Sequence, residues 1–189
     1  MFRSEAKRPG AVYLLSILVF GPITYLAHEL GHWGAGEAMG VDMWMTLNKA
    51  GPALGAYEND TQALIISMAG PLVTLAIAVL AYVIARITRS FIAYGVLFFQ
   101  FMQRTVAGGI SLTGTYPNDE AAAGLMLGIG IYPITLAMIA VLFLMTWDTA
   151  RRLKPGLAIN VLSYGLCSLV ITFFVMSDQI LRNGGVQLL

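Results

Sequence analysis

The only two histidines in this 189-residue chain, His28 and His32, stand four residues apart in Ala27-His28-Glu29-Leu30-Gly31-His32-Trp33. That stretch lies near the end of an apolar run that begins at Ala11. A run of this length predicts a membrane span, and an ionisable group inside a span needs a partner in protein, water or ligand. On a helix, positions four apart share one face, so both imidazoles can reach a single metal ion. Glu29 faces the same cavity obliquely and is placed to handle the proton of an activated water. The plain alternative is a pair of buried histidines satisfied by neighbouring helices, a costly arrangement in hydrocarbon.

Composition agrees with a membrane protein. Hydrophobic residues make up 58% of the chain and charged residues 11%, against about 25% charged in a soluble domain. A net charge of +1 gives no reason to expect nucleic acid. The single cysteine, Cys167, sits in an apolar run, which excludes an intrachain disulfide framework and a cysteine metal site. A basic leader with Arg3, Lys7 and Arg8 precedes the first apolar run, superficially like a signal peptide. No small-residue cleavage site follows it and the histidine motif lies within it, so the segment is expected to be retained.

The pattern predicts an all-α polytopic membrane protein forming one domain over residues 1–189. About five transmembrane helices are expected, at roughly 11–39, 61–86, 90–110, 121–147 and 156–178. Gly21-Pro22 should kink the first. Between the first two, Val41 to Leu47 is short, β-prone and partly alternating, and Gly51-Pro52 and Gly55 follow it. These residues predict a short membrane-associated strand or hairpin. Gln100, Gln103 and Arg104 interrupt the third apolar segment and should face protein or water, although a snorkelling Arg104 would also fit. Basic residues gather in the leader and at Arg86, Arg89, Arg151, Arg152 and Lys154, which predicts a cytoplasmic N-terminus. Alternation of the spans then brings His28, His32, Gly70-Pro71 and Asp119 to one depth.

Two histidines do not complete a catalytic zinc site, which usually takes three protein ligands. Candidates for the third are Asp119, Glu120, Glu37, Asp42, Glu58 and Asp60. Asp119 is the first choice because it follows Pro117 at a helix start on the correct side, and Glu120 is the reserve. Capping the helix is the structural alternative for Asn118 or Asp119.

These residues together resemble the site-2 protease family of zinc intramembrane metalloproteases. His28-Glu29-Leu30-Gly31-His32 matches the family's H-E-x-x-H, and Tyr116-Pro117-Asn118-Asp119 is similar to the context of its aspartate ligand. The segment from Gly40 to Gly55 resembles its β segment, and Ser67-Met68-Ala69-Gly70-Pro71 its small-residue Gly-Pro motif. The resemblance implies a three-helix metalloprotease core, without a PDZ domain. It also implies Zn2+ held by His28, His32 and Asp119, with Glu29 as general base. Met43, Trp44, Met45, Thr46, Gly70 and Pro71 would then contact a membrane-protein substrate, with Val41 to Leu47 offering a strand edge to the unwound peptide. Glu120 departs from the glycine that the family has after its aspartate, and the charge-based orientation is opposite to the family's. The alternative is a non-proteolytic membrane subunit or assembly factor of a larger membrane complex that retains the metalloprotease fold; besides substrate and lipid, such a complex or further copies of this chain are the expected partners. A prokaryotic plasma membrane is the expected location.

Overall fold

The computed structural model describes residues 10–189. The leader residues Arg3, Lys7 and Arg8, part of the orientation argument, lie outside them. The described chain forms α1 (Ala11–Ala38), β1 (Met43–Met45), β2 (Ala50–Pro52), α2 (Asp60–Thr88), α3 (Phe91–Leu112), α4 (Asp119–Met126), α5 (Tyr132–Leu153) and α6 (Leu157–Asn183). Helix α1 stays continuous through Pro22.

Four of these helices, α1, α2, α5 and α6, are long and apolar enough to cross a membrane, one fewer than the five expected. The exception, α3, has 22 residues, a rise of about 33 Å that matches the hydrocarbon core. It falls short in apolarity, and its packing explains why it can. Helix α3 is packed against α1, α2, α5 and α6, and its Gln100, Gln103 and Arg104 are all buried. Its polar residues therefore face protein, and Arg104 does not snorkel.

The fourth expected helix is also different. In place of one segment from about 121 to 147, the chain forms the short α4, a break, and then α5, which runs on to Leu153. Gly128 (φ +72°) and Gly130 (φ +81°) turn the backbone at the break, a conformation that a side chain disfavours. A Cβ at Gly124 would collide with the Gly130 carbonyl, so the turn folds tightly back on α4. Pro133 then lies in the first turn of α5, where its missing N–H costs nothing.

Two apolar clusters hold the bundle. Tyr13, Ile17 and Tyr25 of α1 pack with Tyr94, Phe98 and Phe99 of α3 and with Cys167, Val170, Ile171 and Phe174 of α6. On the other side of α3, Leu97 meets Ala78 and Ala81 of α2 and Met138 and Leu142 of α5. The small residues on α2 allow close helix approach where lipid gives no hydrophobic drive.

The two strands form the expected hairpin, antiparallel, with Trp44 opposite Gly51. Its turn is anchored to the bundle at Asn48. The Asn48 N–H donates to the buried Asp178 carboxylate of α6 (3.0 Å), and Tyr25 OH donates to the Asn48 side-chain carbonyl.

Candidate metal centre

His28 and His32 lie on the buried face of α1, and α2 meets that face through Gly70. A Cβ at Gly70 would collide with His32 Nε2 and come within 2.7 Å of His28 Cε1. Glycine is therefore the residue that lets α2 reach the imidazoles. The next residue, Pro71, has no N–H to offer the Ser67 carbonyl one turn earlier, which opens the helix beside a cavity-lining residue.

Both histidines are fixed by their outer nitrogens. His32 Nδ1–H donates to the Ile66 carbonyl at 2.7 Å, which leaves its Nε2 facing inward. His28 Nδ1 is 3.0 Å from the buried hydroxyl of Thr74. Supports of this kind orient metal-binding imidazoles and set their tautomers.

Asp119 arrives from the other side, as the first residue of α4. Capping falls to Asn118, whose side chain accepts from Ala121 N–H at 3.0 Å, and Asp119 is left free to face the histidines. The approach to α4 is pinned by Ser111, which accepts from Asn118 N–H (2.6 Å) and donates to the Tyr116 carbonyl (3.0 Å).

The three inward groups converge. His28 Nε2 is 3.1 Å from Asp119 Oδ2, His32 Nε2 is 3.6 Å from Asp119 Oδ1, and the two Nε2 atoms are 3.2 Å apart. A tetrahedral zinc ion bound at about 2.0–2.1 Å holds its donors about 3.3 Å apart. The observed spacing fits a divalent cation, and so does the chemistry of two imidazole nitrogens facing one carboxylate.

Arg104 and Glu120 complete the surroundings. Arg104 Nη1 donates to Asp119 Oδ2 at 3.1 Å and to Glu120 Oε1 at 3.3 Å. Glu120 is 1% exposed and also accepts from Asn118 Nδ2 at 2.7 Å. Glu120 is thus the ion-pair partner of Arg104, one step back from the imidazoles. Of the other carboxylates considered, Glu37 accepts from Met43 N–H at 2.9 Å, and Asp42, Glu58 and Asp60 are exposed. Sequence reasoning did not find the support from Ile66 and Thr74 or the Arg104–Glu120 pair. The one available signal was the density of polar residues from Gln100 to Arg104.

A cavity of about 420 Å³ opens onto the triad, and Glu29, Lys49, Gln103 and Arg104 are among its lining residues. Glu29 is buried beside the histidines. Met43, Trp44, Met45 and Thr46 do not line this cavity. Met43, Met45 and Thr46 are buried, and the outer edge of β1 is already paired. Met45 N–H donates to the Leu189 carbonyl (3.0 Å), and the Met45 carbonyl accepts from Leu188 N–H (2.8 Å).

No protein-family model, curated protein or solved structure matches this chain.

Proposed function

We propose that this chain is an intramembrane zinc metalloendopeptidase that cuts a transmembrane or membrane-proximal peptide bond of a membrane-protein substrate. One observation carries the reading: His28, His32 and Asp119 present one ligand atom each within 4.8 Å of one another, beside Glu29 in an open cavity. The resemblance of His28-Glu29-Leu30-Gly31-His32 and of the Asp119 context to the site-2 proteases adds to it.

A zinc ion held by the triad would supply the Lewis acidity that brings a water's pKa near neutrality and polarises a peptide carbonyl. The residues of the chain do the rest. Thr74 and the Ile66 carbonyl hold the imidazoles in the ligating tautomer, and Arg104 holds Asp119 in register. Glu29 takes the proton from the attacking water and delivers it to the leaving amine. The bundle keeps bulk water from all but the cavity side, where a hydrolytic site in a membrane needs it. The substrate helix must unwind before its peptide bond is open to attack.

The basic ends of α2 and α5 support a cytoplasmic N-terminus: Arg86, Arg89, Arg151, Arg152 and Lys154 cluster there, and Arg86 reaches Asp148 of α5 at 3.4 Å. We place the protein in a prokaryotic plasma membrane. One observation favours the second reading, a non-proteolytic subunit: the strand edge suited to a peptide is occupied by Leu188 and Leu189.

Zinc per chain in detergent-purified protein tests the metal. About one zinc in wild type, sharply reduced in Asp119→Ala, is the expected result. Wild type that stays zinc-free after zinc is supplied would defeat the reading. Cleavage of a reconstituted transmembrane substrate, abolished in Glu29→Gln, separates peptidase from subunit.

A further inference from the structure

Two permanent cations line the cavity beside the triad, Arg104 and Lys49, and they are not alike. Arg104 is buried, and its charge is met by Asp119 at 3.1 Å and Glu120 at 3.3 Å. Lys49 lies in the turn between β1 and β2. Among the described residues no carboxylate pairs with it. Its Nζ donates to the Tyr116 hydroxyl at 2.9 Å and lies 5.0 Å from the centre of that ring. Both of these contacts are neutral and solvent-exposed. An ammonium carries three donors, so Lys49 keeps a full charge and spare hydrogen-bonding capacity within reach of a ligand.

The charge is also held in place. Asn48, one residue earlier, is tied on two sides: its N–H donates to the buried Asp178 carboxylate at 3.0 Å, and its side-chain carbonyl accepts from Tyr25 OH. Thr46 N–H donates to the Lys49 carbonyl at 2.7 Å and closes the turn. Tyr116 is fixed from its own side, where its carbonyl accepts from Ser111. Arg182, the basic residue beside this turn on α6, is taken up by Asp178 at 2.7 Å. Lys49 is therefore the positioned cation left over at the hairpin end of the cavity.

The rest of the lining says what kind of molecule would bring an anion there. Val106, Ala107 and Ile110 of α3 and Ile171 and Val175 of α6 form an apolar wall, which suits a membrane segment. Such a segment turns polar where its apolar stretch ends. We infer that Lys49 is a specificity-determining residue: it selects substrate peptides that carry a carboxylate just beyond the apolar stretch, from an Asp or Glu side chain or from a free C-terminus. The inference deepens the peptidase reading and rests on it. A substrate with a basic flank would meet an uncompensated like charge at the same place, so the lysine discriminates in both directions.

The experiment uses the full chain loaded with zinc, as wild type, Lys49→Gln and Lys49→Glu. The probes are fluorogenic synthetic peptides of about 20 apolar residues with a central Gly-Pro break and a short polar flank. The flank carries one Glu, one Gln or one Lys at successive positions, with the C-terminus amidated, and a further Gln probe ends in a free carboxylate. The readout is kcat/KM at low and at high salt. Wild type should cleave the best-placed Glu probe about fivefold better than its Gln counterpart, the upper range for a solvent-exposed ion pair, and lose most of that margin at high salt. Lys49→Gln should treat the two alike at unchanged zinc content, and Lys49→Glu should prefer the Lys probe. A margin confined to the free-carboxylate probe supports the inference with the chain end as the source. A merely structural lysine would slow every probe equally without reversing their order, and that result overturns the inference. Equal cleavage of all probes by wild type overturns it too and leaves the peptidase reading standing, as does a Glu preference that survives in Lys49→Gln. Wild type that binds zinc and cleaves no probe removes the peptidase reading, and the inference with it.

Discussion

Helices α1 and α3 meet twice, and the two meetings differ. Toward the start of α1, Tyr13 and Tyr94 stack with ring centroids 6.1 Å apart, and each hydroxyl finds a partner on α6. Tyr13 OH is 2.6 Å from Ser163 Oγ, and Tyr94 OH donates to Asn160 at 2.8 Å. Toward the end of α1, the same helices hold His28, His32, Gln103 and Arg104 around a cavity, with polar atoms left over. The first region is closed, as a protein interior normally is. The second combines tight external support for the imidazoles with unfilled capacity inside. Unpaired groups in hydrocarbon are costly, so the second region holds less of the fold's stability than the first, and it is the region that carries His28, His32 and Asp119.

The largest effect should come from Glu29. Glu29→Gln is expected to lower peptide hydrolysis by about 10²- to 10⁴-fold, the usual contribution of a general base, while bound zinc stays near one per chain. A variant as active as wild type would remove Glu29 from the chemistry. Next comes the buried ion pair. Glu120→Leu removes the carboxylate that accepts from Arg104 at 3.3 Å and should destabilise the protein by about 3–5 kcal/mol, measured by unfolding in detergent. An unchanged transition would mean that Asp119 alone satisfies Arg104. Thr74→Val, which keeps shape but loses the hydroxyl 3.0 Å from His28 Nδ1, should weaken zinc affinity by about 10- to 100-fold. Competition with a chromophoric chelator would read this, and an unaltered affinity would show that packing alone orients His28. The smallest effect belongs to the closed region. Ser163→Ala should cost about 1 kcal/mol with zinc content and hydrolysis intact. Loss of metal in this variant would erase the distinction between the two regions.

The parts of this arrangement legible in the sequence were local. Spacing by four placed His28 and His32 on one face, and alternation of apolar segments brought Asp119 and Gly70 to their depth. The β-prone run after the first helix gave the hairpin. The parts that were missed depend on distant partners or on backbone conformation. Arg104 and Glu120 are separated by 16 positions, and no periodicity joins them. Met45 and the tail that covers it are farther apart still. Gly128 and Gly130 lie in an apolar stretch, so hydropathy ran a helix through a place where the backbone turns. The third segment was expected to span beside the others. Its polarity instead reflects its central packing, since a helix surrounded by four others need not be apolar on every side.

The pairing of Met45 with Leu188 and Leu189 also bears on how copies of this protein meet. An open strand edge is a template on which a second chain can extend the sheet, and crowded membrane proteins with such an edge risk indefinite stacking. Here the tail takes up Met45 on the outer side of β1, Glu37 takes up Met43, and Pro52 brings no N–H to β2. The hairpin is left with little to offer the edge of a neighbouring strand.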